Sequence, residues 1–334
     1  MGAPLFQSAI EQAALIRSKA LRVTDLVQAS IDRIEAVNDH INAVDTRCFE
    51  QALKEAETLD REARAGRFRG PLHGVPITIK DSLDTEGVRS TGGTMGRRDF
   101  VPRRDAPAVA RLRQAGAVLL GKTNTPELTL SGETNNLIFG RTSNPYDLTR
   151  SPGGSSGGSV AAVASGCSAL ELGSDTGGSI REPAHFCGLS GLKPTFGRVP
   201  RSGHIVPYAL GHIDRLTQIG PLARSIDDVA LAYELISGPD FEDPSVIPLP
   251  AMSGDDIPLS DLRVAYYTDN GIIAPHPSIA AAVEQAAERL LPITAAVRRD
   301  CPSSLTHACE IYGQLRQADG GTGVRRLLAR WGTE

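Results

Sequence analysis

The sequence predicts an α/β fold built in layers, with helices packed on a sheet. Three observations predict it. Residues 1–66 carry helical periodicity and caps, residues 75–120 run strand, helix, strand, and apolar runs recur between glycine-serine clusters from 151 to 203. The 334 residues suffice to bury a core, and 40% hydrophobic with 22% charged residues is ordinary for a globular chain.

The elements follow in order. Ser8 and Glu11 have capping-box spacing and open a first helix. Thr24 caps a second over 25–37, with Leu26, Val27, Ile31 and Ile34 on one face. A third runs from Thr46 to Ala65 and stops near Gly66. Together these make an N-terminal helical layer, 1–66. The apolar run Val75–Ile79 reads as a buried strand ending at the charged pair Lys80-Asp81. Asp105 caps a helix over 106–114, with Pro107 in its first turn, and 117–120 is the next strand. Residues 169–172 read as a strand, 226–236 as a helix capped by Ser225, 262–267 as a strand and 279–291 as a helix. The segment 292–334 is polar and arginine-rich.

Nothing in a net charge of -4 suggests a nucleic-acid or membrane-surface binder, and no apolar run approaches the ~20 residues that cross a bilayer. The N-terminal residues lack the pattern of a secretory leader, and Phe6 stands where a myristoylation motif has Ser or Thr. Five scattered cysteines without a CxxC pair fit a reduced, cytoplasmic protein with free thiols.

The chemistry concentrates in two clusters, Ser151–Ser159 (SPGGSSGGS) and Gly173–Arg181 (GSDTGGSIR). A flexible linker is the bland reading of such composition, but linkers do not alternate with core elements in this way. Serine is a poor nucleophile until a base takes its proton. Around Ser179, the small residues Thr176, Gly177 and Gly178 offer consecutive backbone N–H groups, the material of an oxyanion hole. Lys80 serves as a base only when neutral, and burial favours the neutral form.

With GVPITIKD (74–81), GKTNTPEL (121–128) and GSDTGGSIREPAHFCGLSGLKPTFGRVPRSG (173–203), the chain resembles the amidase-signature enzymes from about residue 5 to 291. The resemblance implies a mixed β-sheet covered by helices on both faces. It implies a single domain with a catalytic core at 70–240 and a divergent segment at 292–334. It also implies a Ser–cis-Ser–Lys triad, with Ser179 as nucleophile, Ser155 after a cis peptide bond as relay and Lys80 as base. Thr176, Gly177, Gly178 and the Ser179 amide match the oxyanion segment, and Thr129 matches a backbone position lining the acyl pocket. The expected reaction is hydrolysis of a small-molecule carboxamide through an acyl-enzyme, with no cofactor and no metal. The alternative is the glutaminase subunit of a tRNA-dependent amidotransferase. The stretch Thr125-Pro126-Glu127-Leu128 looks more like the free amidases. A homodimer is compatible with this, and neither nucleic acid nor membrane is an expected direct partner. Members commonly run well beyond 334 residues, so the sheet is expected to be incomplete at its C-terminal end.

Other signals are weaker. Asp175 and Arg181 read as a pair that caps the nucleophile loop. Residues 116–123 match GxxxxGK[ST], but the strand lies between the glycines rather than before them, against a P-loop. His185 lies near Ser179, yet no GxSxG elbow accompanies it. The seven histidines form no ligand-spaced cluster.

Overall fold

The computed structural model describes residues 4–206, 211–249, 254 and 257–333, which fall into two units: residues up to 249 with 322–334, and residues 250–321. The first unit begins with α1 (Ala9–Arg17) and α2 (Val23–Ile41), then β1 (Val44–Arg47) and α3 (Phe49–Arg64). The capping box of Ser8 and Glu11 is present. Thr24 is not the cap of α2. It lies inside the helix, and a distant carboxylate, Asp60 on α3, accepts the Val23 and Thr24 amides at 2.8 and 3.1 Å. The third helix starts later than expected because Val44–Arg47 pairs antiparallel with the edge of the sheet.

β2 (Pro76–Lys80), α4 (Pro107–Gln114) and β3 (Val118–Thr123) follow. Asp105 does not cap α4. Its carboxylate accepts the Glu86 amide and pairs with Arg113. A short hairpin, β4 (Asn135–Asn136) with β5 (Gly140–Arg141), precedes α5 (Gly157–Ala164), β6 (Leu170–Asp175), α6 (Arg181–Phe186), β7 (Ser190–Gly191), β8 (Gln218–Ala223) and α7 (Ile226–Ile236). Ser225 caps α7 as expected, accepting the Asp227 amide.

The main sheet has the order β1-β3-β2-β6-β8-β7, parallel through β3, β2 and β6 and antiparallel elsewhere. Strand alternation sends side chains to opposite faces. Ile77, Ile79, Leu170 and Leu172 pack with Val109 and Leu112 of α4 and Val229 of α7. Val118 and Leu120 pack with α2, α3 and Ala161 and Ala162 of α5 on the other side. The sheet is mixed and covered on both faces.

The second unit holds β9 (Arg263–Tyr266), α8 (Pro277–Leu290), β10 (Ala296–Arg299) and α9 (Leu305–Gln317), with β9 and β10 parallel. The last helix, α10 (Thr322–Trp331), belongs to the first unit, where Leu327 packs with Leu128, Ile205 and Val206. No helix among the described residues is long and apolar enough to cross a membrane.

Candidate active site

Lys80 is the last residue of β2 and is fully buried. Its Nζ lies 2.7 Å from Ser155 Oγ, 3.0 Å from Ser156 Oγ and 3.1 Å from Ser174 Oγ. Burial pulls the amine down to about 7, against the opposing pull of the Asp175 and Glu171 charges. The flanking isoleucines do not form this environment, because Ile77 and Ile79 face the opposite side of the sheet. The lysine instead sits in a shell of hydroxyls. The neighbouring Asp81 serves elsewhere, gripping the Thr91 amide and hydroxyl.

The Ser151–Ser159 cluster is a shaped loop that runs into the first turn of α5 rather than a linker. The Gly154–Ser155 peptide is cis. Thr134 Oγ1 donates to Gly153 O at 3.0 Å and accepts from Gly157 N at 3.1 Å, and Thr125 Oγ1 donates to Ser155 O at 2.9 Å. The small residues permit close approach: a Cβ on Gly158 would come 2.5 Å from Asn124 O, and one on Gly173 would come 2.8 Å from Ser156 Oγ.

Ser179 lies on the turn between β6 and α6, half-buried, and Asp175 shapes that turn. Its carboxylate accepts the Gly178 and Ile180 amides at 2.8 and 3.1 Å, bracketing Ser179, and takes both Nε and Nη2 of Arg181 at 2.9 Å. Burial alone would raise Asp175, but these donors hold it below the usual carboxylate range. Asp175 and Arg181 are thus the loop-capping pair that the sequence suggests. The Gly178 amide is committed to Asp175, so within this segment the donors that remain are Thr176, Gly177 and Ser179. Thr176 Oγ1 bonds Thr217 Oγ1 at 2.8 Å. Thr129 follows Leu128 in a pair of positive-φ residues (61° and 51°), with its amide bonded to Pro126 O.

The structure thus brings Lys80 and Ser155 into contact and places Ser179 on the turn that follows β6, the strand that carries Ser174 to the lysine. His185 is exposed on α6, apart from this arrangement. Lys122, from the GxxxxGK[ST] match, is a buried strand residue bonded to Leu83 O, Thr85 and Ser90. Sequence reasoning misses Ser156, Ser174 and His204, whose Nε2 lies 3.0 Å from Ser174 Oγ. Ser156 stands next to Ser155 in the first cluster and Ser174 stands at the start of the second; nothing local marks His204. Glu171 is also missed. It is buried under Thr78 and Thr123, and burial pushes its carboxyl up to about 8.

A mixed sheet carrying a buried lysine against a cis-linked serine defines a class, and comparison with known proteins agrees. The chain belongs to the amidase family, whose profile matches residues 25–333. That match extends through 292–333, the segment whose sequence reads as divergent. A glutamyl-tRNA(Gln) amidotransferase subunit of Moorella thermoacetica is 41% identical over 332 residues, covering 96% of this chain and 66% of that protein. An indoleacetamide hydrolase of Bradyrhizobium diazoefficiens is 40% identical over 291 residues, covering 86% and 55%. A solved fatty acid amide hydrolase superposes with a TM-score of 0.87 at 29% identity, covering 99% of this chain and 58% of that one. The chain spans about half to two thirds of the length of the curated relatives it matches.

Proposed function

We propose that the protein hydrolyses a carboxamide to the carboxylic acid and ammonia or an amine through an acyl-enzyme on Ser179. The observation that carries this reading is the buried Lys80 amine, held near neutrality and 2.7 Å from Ser155 Oγ. Ser179 Oγ bonds to the amide carbon as its proton passes to Ser155 and the Ser155 proton passes to Lys80. The amides of Thr176, Gly177 and Ser179 are the donors for the oxyanion, each worth roughly 3 kcal/mol in acyl-transfer enzymes. The C–N bond breaks as the relay returns the proton to the leaving nitrogen. Water then enters by the same relay and releases the acid. Thr129 lines the acyl side through its backbone.

The test is a panel of carboxamides and esters turned over by wild type and by Ser179→Ala. Turnover in wild type and none in the variant supports the reading; equal turnover in both rejects it. A second reading, a component of a tRNA-dependent amidotransferase, is favoured by the names of several relatives. Co-purification with partner subunits, and glutamine hydrolysis that depends on them, would select it.

A further inference from the structure

A neutral amine has one lone pair, and three hydroxyls surround the Lys80 amine. Only the Ser155 hydroxyl is useful to the relay. If Ser156 or Ser174 turned its hydrogen onto the lysine, that lone pair would be blocked. The Ser156 hydrogen has another acceptor, Ser174 O at 3.4 Å. The Ser174 hydroxyl has another neighbour too, His204 Nε2 at 3.0 Å.

His204 is buried, and its ring stays neutral: burial, then the Lys80 charge, with Arg201 and Arg97 beyond, holds it down to about 3 despite its contact with Val206 O. The Asp175 and Glu171 charges oppose the lowering of the lysine's own pKa. A neutral imidazole carries one hydrogen, so one nitrogen accepts. Nδ1 lies 3.2 Å from both Val206 O and Val206 N, and either assignment fits there.

Resting on the acyl-enzyme reading, we propose that His204 is a positioning residue whose Nδ1–H donates to Val206 O and whose bare Nε2 accepts the Ser174 hydroxyl. Ser174 Oγ then faces Lys80 with lone pairs only. Ser156 and Ser174 accept the two N–H groups of the neutral amine, and its lone pair is left to Ser155. No bond to substrate is involved.

The test follows Ser179 labelling by a fluorophosphonate at pH 8 in four proteins: wild type, His204→Leu, Ser174→Ala and the double variant, each checked for a folded melting transition. His204→Leu frees the Ser174 hydrogen to occupy the lysine, and labelling slows about five- to tenfold, the worth of one hydrogen bond. In the Ser174→Ala background there is no hydrogen to misplace, so His204→Leu costs nothing further. Equal slowing in both backgrounds, or none in either, overturns the proposal. Nitrogen-15 chemical shifts of His204 in the wild-type protein test it without any variant: protonated Nδ1 and bare Nε2 are expected, and the reverse tautomer overturns it. Should wild type fail to label at Ser179, the acyl-enzyme reading falls, while the tautomer measurement still decides the role of His204.

Discussion

Acylation should follow the free-amine fraction of Lys80. Burial places that amine at about 7, from an ordinary 10.5. It is therefore about 9% neutral at pH 6 and about 91% neutral at pH 8. The sign follows from the role: a base works deprotonated, so the rate rises with pH, about tenfold across that interval, and levels above it. Lys80→Arg keeps the charge and cannot deprotonate, so it should lose about 100-fold or more and show no such limb. The assay is single-turnover phosphonate labelling or acyl-enzyme formation from an activated ester, at constant ionic strength from pH 5.5 to 9.5. A profile flat across this range, or one still climbing at pH 9.5 as for an exposed lysine, would refute the assignment of Lys80 as the base.

Three further outcomes follow from the same geometry. Asp175→Ala should destabilise the fold by about 2–4 kcal/mol in urea unfolding, because two amide donors in the turn around Ser179 lose their acceptor. Asp60→Ala should cost about 1–2 kcal/mol by the same measurement, through the amides of Val23 and Thr24 at the start of α2. Glu171 has a folded pKa of about 8 against an ordinary 4.5, so the folded chain keeps a proton that the unfolded chain loses, and stability falls as pH rises through that window. Glu171→Gln should therefore gain on wild type between pH 5 and 7 in the denaturation midpoint, by at most about 5 kcal/mol over the whole window; a constant difference across pH would contradict it.

The parts of the fold legible in the sequence are those governed by local chemistry. The capping box at Ser8, the Ser225 cap and the apolar strand before Lys80 depend on residues a few positions apart. The departures at Thr24, Asp105 and Thr46 share one cause: tertiary partners replace local ones. Asp60 takes over the capping of α2, Asp105 turns to Glu86 and Arg113, and β1 pairs with β3. In the site, Lys80, Ser155 and Ser179 stand in dense, recognisable runs. His204 does not, since it meets Ser174 across 30 residues of chain. Nor is the commitment of the Gly178 amide to Asp175 legible, because composition alone cannot distinguish it from a free donor.

Activation of Ser179 by Lys80 through Ser155 is the step on which the proposed chemistry depends. Intact-mass and peptide mapping of the phosphonate-treated protein tests it most directly. A single adduct on Ser179 in wild type, absent from Ser179→Ala and slowed by orders of magnitude in Lys80→Met and Ser155→Ala, is the predicted result. An adduct that forms on Ser179 at the wild-type rate in Lys80→Met would contradict it.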